Sequence, residues 1–143
     1  MTGEFSAAWL ALREPADAAA RDAGLVAALR ARLRPPLVIR DLGCGTGSLG
    51  RWLAPQLPSP QHWVLSDRDP GLLAHAATSL PGTTTAETRR GDVTELSGDD
   101  LAGTSLVTCS ALLDLLTADE VGALAAACAV HGTPVLFTLS SPR

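Results

Sequence analysis

The sequence contains no lysine and few aromatic residues. All eleven of its basic residues are arginines, which excludes Schiff-base chemistry and ATP hydrolysis that depends on a phosphate-loop lysine. Aromatic residues make up 3% of the chain, whereas hydrophobic residues make up 46%. We therefore expect a core built from alanine, leucine and valine side chains rather than from rings.

Cysteine is scarce as well. Cys44, Cys109 and Cys128 lie far apart and never in C-x-x-C spacing, so their pattern indicates neither a disulfide framework nor a zinc site. No apolar run approaches the roughly 20 residues needed to cross a bilayer, and the N-terminus lacks a basic segment followed by an apolar one. We expect reduced thiols in a cytoplasmic protein that is neither secreted nor inserted in a membrane.

The chain carries a formal net charge of −4 at pH 7. Surfaces that bind nucleic acids or anionic membranes in general need a net basic face, so we expect small-molecule partners instead. Its 143 residues suit one domain that can bury a core. Since the sequence shows no internal repeat or interdomain linker, residues 1–143 are interpreted as a single domain.

Strand and helix patterns alternate along the chain. An N-terminal helical segment is predicted over 4–33, where Leu25, Leu29 and Leu33 form one apolar stripe. An α/β core follows over 37–140. Its predicted strands are 37–42, 63–67, 83–89, 105–110 and 134–139, and its predicted helices are 47–57, 70–80 and 118–130. This alternation predicts parallel βαβ units with right-handed crossovers in a doubly wound sheet.

The most informative stretch is an apolar strand that ends in an acid and continues into alternate glycines. Asp41 is followed by Gly43, Gly45 and Gly47. Each glycine removes a Cβ where the backbone must turn with positive φ or pass close to a ligand. This order resembles the first motif of the class I, Rossmann-like, S-adenosylmethionine-dependent methyltransferases, in which the acid stands two residues before the first glycine.

A dinucleotide fingerprint competes with this interpretation. Gly45, Gly47 and Gly50 also satisfy G-x-G-x-x-G, in which a helix N-terminus faces a pyrophosphate. Asp41 weighs against it, because a carboxylate at the mouth of the loop would repel a pyrophosphate but would suit a sulfonium or an α-ammonium group. S-adenosylmethionine carries both cationic groups.

Acids also follow the second and third predicted strands, where ligands bind in doubly wound sheets. Asp67 ends the second strand, directly after its apolar run, and can accept both hydroxyls of a ribose, whereas Asp69 is better placed to cap the helix that begins at Pro70. The resemblance implies that Asp92 accepts from the exocyclic amine of adenine. It also implies that the amide of Val93 faces a ring nitrogen.

The remaining predicted cofactor contacts rest on position in the family pattern. Cys44 in the loop and Arg68 after the second strand belong to this set. Ser110, after the fourth strand, resembles the position near the methionine moiety. Arg13 suits bidentate capture of the methionine carboxylate, and the alternative is an ordinary surface pair with a neighbouring acid.

The resemblance implies a sheet of order 3-2-1-4-5 that lacks the last two strands of the full methyltransferase fold. The chain would be the N-terminal cofactor-binding portion of an enzyme that transfers a methyl group from S-adenosylmethionine to a small molecule. We identify no catalytic base. Two alternatives remain open: a non-catalytic S-adenosylmethionine-binding module, and half of a nicotinamide-dependent oxidoreductase.

Two further expectations concern surfaces. The apolar strand 134–139 would form an edge of the sheet, which favours a homodimer paired through that edge. His62, His75 and His131 show no partner pattern with Asp or Glu and no metal spacing. We interpret all three as ordinary surface or helix-end histidines and expect no bound metal.

Overall fold

Five parallel strands form one sheet. The computed structural model describes residues 23–80, 84–110 and 116–138. The strands are β1 (Leu37–Leu42), β2 (Gln61–Asp67), β3 (Thr84–Arg90), β4 (Leu106–Ser110) and β5 (Val135–Thr138). Their order is β3-β2-β1-β4-β5 and every neighbouring pair is parallel, so the predicted order is confirmed.

Among the described residues, one helix precedes β1, and three others connect β1 to β2, β2 to β3, and β4 to β5. They are α1 (Ala23–Arg32), α2 (Ser48–Leu53), α3 (Pro70–Ser79) and α4 (Ala118–Ala129). Short 3₁₀ turns lie at Ala54–Gln56, Val93–Glu95 and Gly98–Leu101. Of the predicted N-terminal segment 4–33, residues 4–22 lie outside the described part of the chain.

Several predicted boundaries differ from the structure; β2, for example, begins at Gln61 rather than at residue 63. The helix predicted over 47–57 is regular only to Leu53 and then tightens into a 3₁₀ turn. Pro55 explains the change, because it has no N–H to donate to the carbonyl of Arg51. The third strand runs one residue further than predicted, since Arg90 still pairs with Asp67 of β2.

The sheet buries a separate apolar cluster on each face. Ile39, Trp63 and Leu65 contribute to the first cluster, which α1, α2 and α3 cover. Val107 and Cys109 contribute to the second, which α4 covers. Alternate residues of a strand point to opposite faces, so helices on both faces give the doubly wound arrangement.

The expectation that no histidine has an acidic partner is wrong for His62. His62 lies 2.8 Å from Glu87 through Nε2 and 2.6 Å from Thr85 through Nδ1, across the β2–β3 pair. Hydrogen bonds from His62 and from Arg89 lower the pKa of Glu87. Because His62 and Glu87 are 25 residues apart in sequence, only the parallel register of the two strands reveals the pair.

The C-terminal strand lies at an edge of the sheet. Within the described residues β5 pairs with β4 alone, and the side chain of Leu136 is buried in the first apolar cluster. Any pairing of a second copy would therefore use the backbone of β5 rather than this side chain. Dimerisation through this edge stays a prediction.

A capping box closes the N-terminus of α4. Thr117 Oγ1 accepts from the Glu120 amide at 3.1 Å, and Glu120 Oε1 accepts from the Thr117 amide at 2.9 Å. Thr117→Ala should lower the free energy of unfolding by about 1 kcal/mol, the usual cost of a lost cap, as measured by urea denaturation. Thr117→Ser keeps the hydroxyl and should stay close to wild type. Equal losses in both variants would contradict the capping role.

Candidate functional site

The loop between β1 and α2 adopts a backbone that only glycine takes easily. Gly43, Gly45 and Gly47 have φ angles of 63°, 56° and 88°. All three lie in the left-handed region, where a Cβ would crowd the following carbonyl. The alternate glycines recognised in the sequence are therefore required by the path of the chain.

The two sides of this loop have different environments. Gly43 and Gly45 are partly exposed, whereas Cys44, Thr46 and Gly47 are buried. The open side carries no side chains at its glycines, so a flat ligand can approach the backbone there. The buried side packs against the rest of the domain.

The buried side contacts the last turn of α3. A Cβ added at Gly47 would lie 3.1 Å from the Cα and Cβ of Ala76 and 3.2 Å from Ser79 Oγ. A Cβ at Gly50 would lie 2.7 Å from Leu80 Cδ2. Gly50 is therefore packed beside Leu80, and this contact gives a reason for a small residue at that position besides the dinucleotide fingerprint.

Asp67 joins the end of β2 to the open side of the loop. Its Oδ2 accepts from the amide of Gly45 at 3.0 Å, and its Oδ1 accepts from the amide of Asp69 at 2.9 Å. An ionised carboxylate has about four acceptor sites, so both oxygens keep capacity for a ligand.

The neighbouring acid has a different role. Asp69 Oδ1 accepts from the amides of Gly71 at 2.8 Å and Leu72 at 3.2 Å, and thereby caps α3 as the sequence predicts. Its side chain is engaged with the helix, whereas that of Asp67 faces the glycine loop.

Asp92 follows β3 at the same edge of the sheet. Its Oδ1 accepts from both the amide and the hydroxyl of Thr94 at 2.9 Å, and these bonds lower the pKa of Asp92. Arg68 adds to this effect from 4.0 Å. The carboxylate therefore stays ionised at neutral pH, and Val93 begins the turn that Asp92 caps.

Asp41 is fully buried in β1 rather than open at the mouth of the loop. Its Oδ1 accepts from the hydroxyl of Thr108 at 2.9 Å, across the β1–β4 pair. Because its side chain is enclosed in the sheet, Asp41 does not present a carboxylate to a ligand at the open side of the loop. The sequence analysis missed Thr108, although a threonine inside a buried apolar strand is a signal for such a bond.

The thiols near the site are protonated. Burial raises the pKa of Cys44 strongly, and the carboxylates of Asp41 and Asp67 raise it further. Burial and Asp41 also raise the pKa of Cys109, to about 12. Neither thiol is therefore a nucleophile at neutral pH.

Other predicted contacts are less fully described. Arg13 lies outside the described residues, and Ser110 ends β4 at the carboxyl edge where Asp67 and Asp92 also lie. Parallel strands bring their carboxyl ends to one edge, so Ser110, Asp67 and Asp92 lie at the same edge of the sheet. The cofactor role of each remains a prediction.

The described part of the chain has neither a metal-ligating cluster nor a membrane-length apolar helix. No group of three or more His, Cys, Asp or Glu side chains there is arranged to hold a metal ion. No described helix is long and apolar enough to span a membrane.

A family model supplies the deciding comparison. A model described as a methyltransferase domain matches residues 39–134. The chain belongs to this family. The match extends from β1 almost to β5, so this methyltransferase domain includes the glycine loop and the strand-end acids.

Solved structures share the fold. DesVI of Streptomyces venezuelae is 23% identical with a TM-score of 0.56, and the alignment covers 87% of this chain and 50% of DesVI. CalS10 of Micromonospora echinaspora, an amino pentose methyltransferase solved with S-adenosylmethionine bound, is 24% identical with a TM-score of 0.56, and 90% of this chain covers 52% of it. KedS8, a sugar N-methyltransferase from a Streptoalloteichus species, is 18% identical with a TM-score of 0.66, and 93% of this chain covers 53% of it.

The methyltransferase domain spans about half the length of these solved structures. No curated protein matches it significantly.

Substitution by alanine should have opposite effects on stability at Gly47 in the loop and at Gly122 in α4. Gly47→Ala places a Cβ at positive φ and against α3, and should lower the free energy of unfolding by about 1–3 kcal/mol. Gly122→Ala lies within α4 with nothing within 4 Å of the new Cβ, and should raise it by about 0.5–1 kcal/mol. Urea denaturation measures both, and a neutral Gly47→Ala would refute the steric argument.

Proposed function

We propose that this domain binds S-adenosylmethionine and forms the cofactor-binding part of an enzyme that methylates a small molecule. The observation that carries the proposal is the hydrogen bond from the Gly45 amide to Asp67 Oδ2, at 3.0 Å, beside the open side of the loop. It holds a carboxylate at the edge of a surface free of side chains.

The carboxylate of Asp67 is suited to accept hydrogen bonds from the ribose hydroxyls. Each of its oxygens already accepts one backbone N–H, from Gly45 and from Asp69. These bonds orient the carboxylate before a ligand arrives, while the remaining lone pairs can accept from two adjacent hydroxyls. Such preorganisation lowers the entropic cost of binding.

The adenine ring suits the turn after β3. Asp92 stays ionised because its pKa is lowered by Thr94, so it acts only as an acceptor and favours an amino group over a carbonyl. The amide of Val93 follows directly and can donate to a ring nitrogen. An acceptor beside a donor matches the edge of adenine that carries the amine.

The cationic groups of the cofactor suit the charge around the loop. Asp41 lies buried in β1 and Asp67 lies beside the loop; burial is the main cause of the raised pKa of Cys44, and these two carboxylates add to it. The same negative potential that disfavours a thiolate favours a sulfonium or an ammonium group.

When bound, S-adenosylmethionine supplies an electrophilic methyl group on its sulfonium. The contribution of the chain is to orient and to exclude water, which is the main requirement of an in-line displacement. Cys44 stays protonated and therefore does not compete with the acceptor as a nucleophile.

The net charge of the chain supports the proposed methyl acceptor, and the state of its cysteines supports the proposed compartment. A net charge of −4 disfavours a nucleic-acid acceptor and supports a small molecule. Three buried, free cysteines support a reducing compartment such as the cytoplasm.

Calorimetric titration tests the proposal on the unmodified chain and two variants. S-adenosylhomocysteine should bind the wild type. Asp67→Ala should weaken it by about 1.5–3 kcal/mol, or about 10- to 150-fold, because a charge-assisted hydrogen bond is lost.

Asp69→Ala is the matched control. It removes the cap of α3 but keeps the backbone amide that donates to Asp67, so affinity should change little. Equal losses in both variants would contradict the role of Asp67. Binding of NAD with no binding of S-adenosylhomocysteine would contradict the proposed function as a whole.

A further inference from the structure

Arg51 connects three parts of the domain behind the glycine loop. Its Nη1 donates to the carbonyl oxygen of Thr46 at 2.6 Å and to Ser79 Oγ at 2.7 Å. Its Nη2 donates to Thr46 Oγ1 at 3.3 Å. One guanidinium on α2 therefore contacts the loop and the last turn of α3 together.

Ser79 completes this arrangement. Its hydroxyl accepts from Arg51, and its single proton has two acceptors, the carbonyl oxygens of Ala76 at 3.0 Å and of Thr46 at 3.4 Å. Ala76 and Ser79 are also the residues against which Gly47 packs. The buried side of the loop is thus held by hydrogen bonds and by close packing at the same place.

The loop is consequently held from two sides. Asp67 accepts from the amide of Gly45 on the open side, and Arg51 donates to Thr46, the next residue, on the buried side. Three glycines within five residues would otherwise sample many backbone conformations. Opposed contacts on consecutive residues select one of them.

We propose that Arg51 is a positioning residue, which keeps the open side of the glycine loop in its binding conformation without touching the ligand. This inference rests on the proposed function. A planar guanidinium with several fixed donors can hold two oxygens of Thr46 and one of Ser79 at once, which an ammonium cannot do in the same geometry. If the role of Arg51 were purely structural, its loss would destabilise the loop and the strands to the same extent.

The experiment compares Arg51→Met, Arg51→Lys and Ser79→Ala with Arg30→Met, a matched control on the exposed side of α1. Three quantities are measured for each: affinity for S-adenosylhomocysteine by calorimetry, amide hydrogen exchange by NMR, and the midpoint of urea denaturation. The reporters are the amides of Gly45 and Gly47, which donate to Asp67 Oδ2 and to the Cys44 carbonyl.

We expect Arg51→Met to weaken binding by about tenfold, because the ligand must now order the loop. Exchange at the two reporter amides should accelerate more than exchange in the strands. Arg51→Lys should recover part of the affinity, Ser79→Ala should have a smaller effect, and Arg30→Met should have none. If Arg51→Met does not fold, Arg51→Lys and Ser79→Ala carry the test.

Two results would overturn the inference. One is unchanged loop exchange in folded Arg51 and Ser79 variants. The other is acceleration that is equal in the loop and the strands, because it would assign Arg51 to global stability. Failure of the wild type to bind S-adenosylhomocysteine would instead refute the proposed function, and the exchange data, which need no ligand, would still decide whether Arg51 positions the loop.

Discussion

The candidate site depends on the hydrogen bond between the Gly45 amide and the Asp67 carboxylate. This bond forms because β1 and β2 pair in parallel with Leu42 opposite Ser66, and the Cys44 amide extends that pairing by donating to the Ser66 carbonyl at 2.9 Å. Asp67 then lies beside the loop. The candidate ligand surface therefore continues the sheet, and the strand register sets its geometry.

Charge is distributed unevenly around this surface. Burial raises the pKa of Cys44 in the loop, and the carboxylates of Asp41 in β1 and of Asp67 beside the loop raise it further. Arg68 lies 4.0 Å from Asp92 and lowers the pKa of that carboxyl further. The cationic end of a ligand is favoured at the loop, while Asp92 accepts from Thr94 through Oδ1 and keeps Oδ2 as an acceptor for a ligand.

Local patterns predicted the elements well because their causes are local. Pro70 begins α3 and Thr117 caps α4, as expected from capping chemistry that acts within four residues. Pro55 turns the end of α2 into a 3₁₀ turn, which the helix predicted over 47–57 from apolar spacing did not include. The spacing shows which face is buried, but it does not show where the hydrogen-bond ladder ends.

The sequence by itself determined the strands, their order through the family resemblance, and the acids and glycines at the strand ends. Only the tertiary structure decided which side chains meet: His62 with Glu87, Thr108 with Asp41, and Arg51 with Ser79. These partners are 25, 67 and 28 residues apart, and no local periodicity links them. Their contacts follow from strand register and helix packing, which are properties of the folded chain.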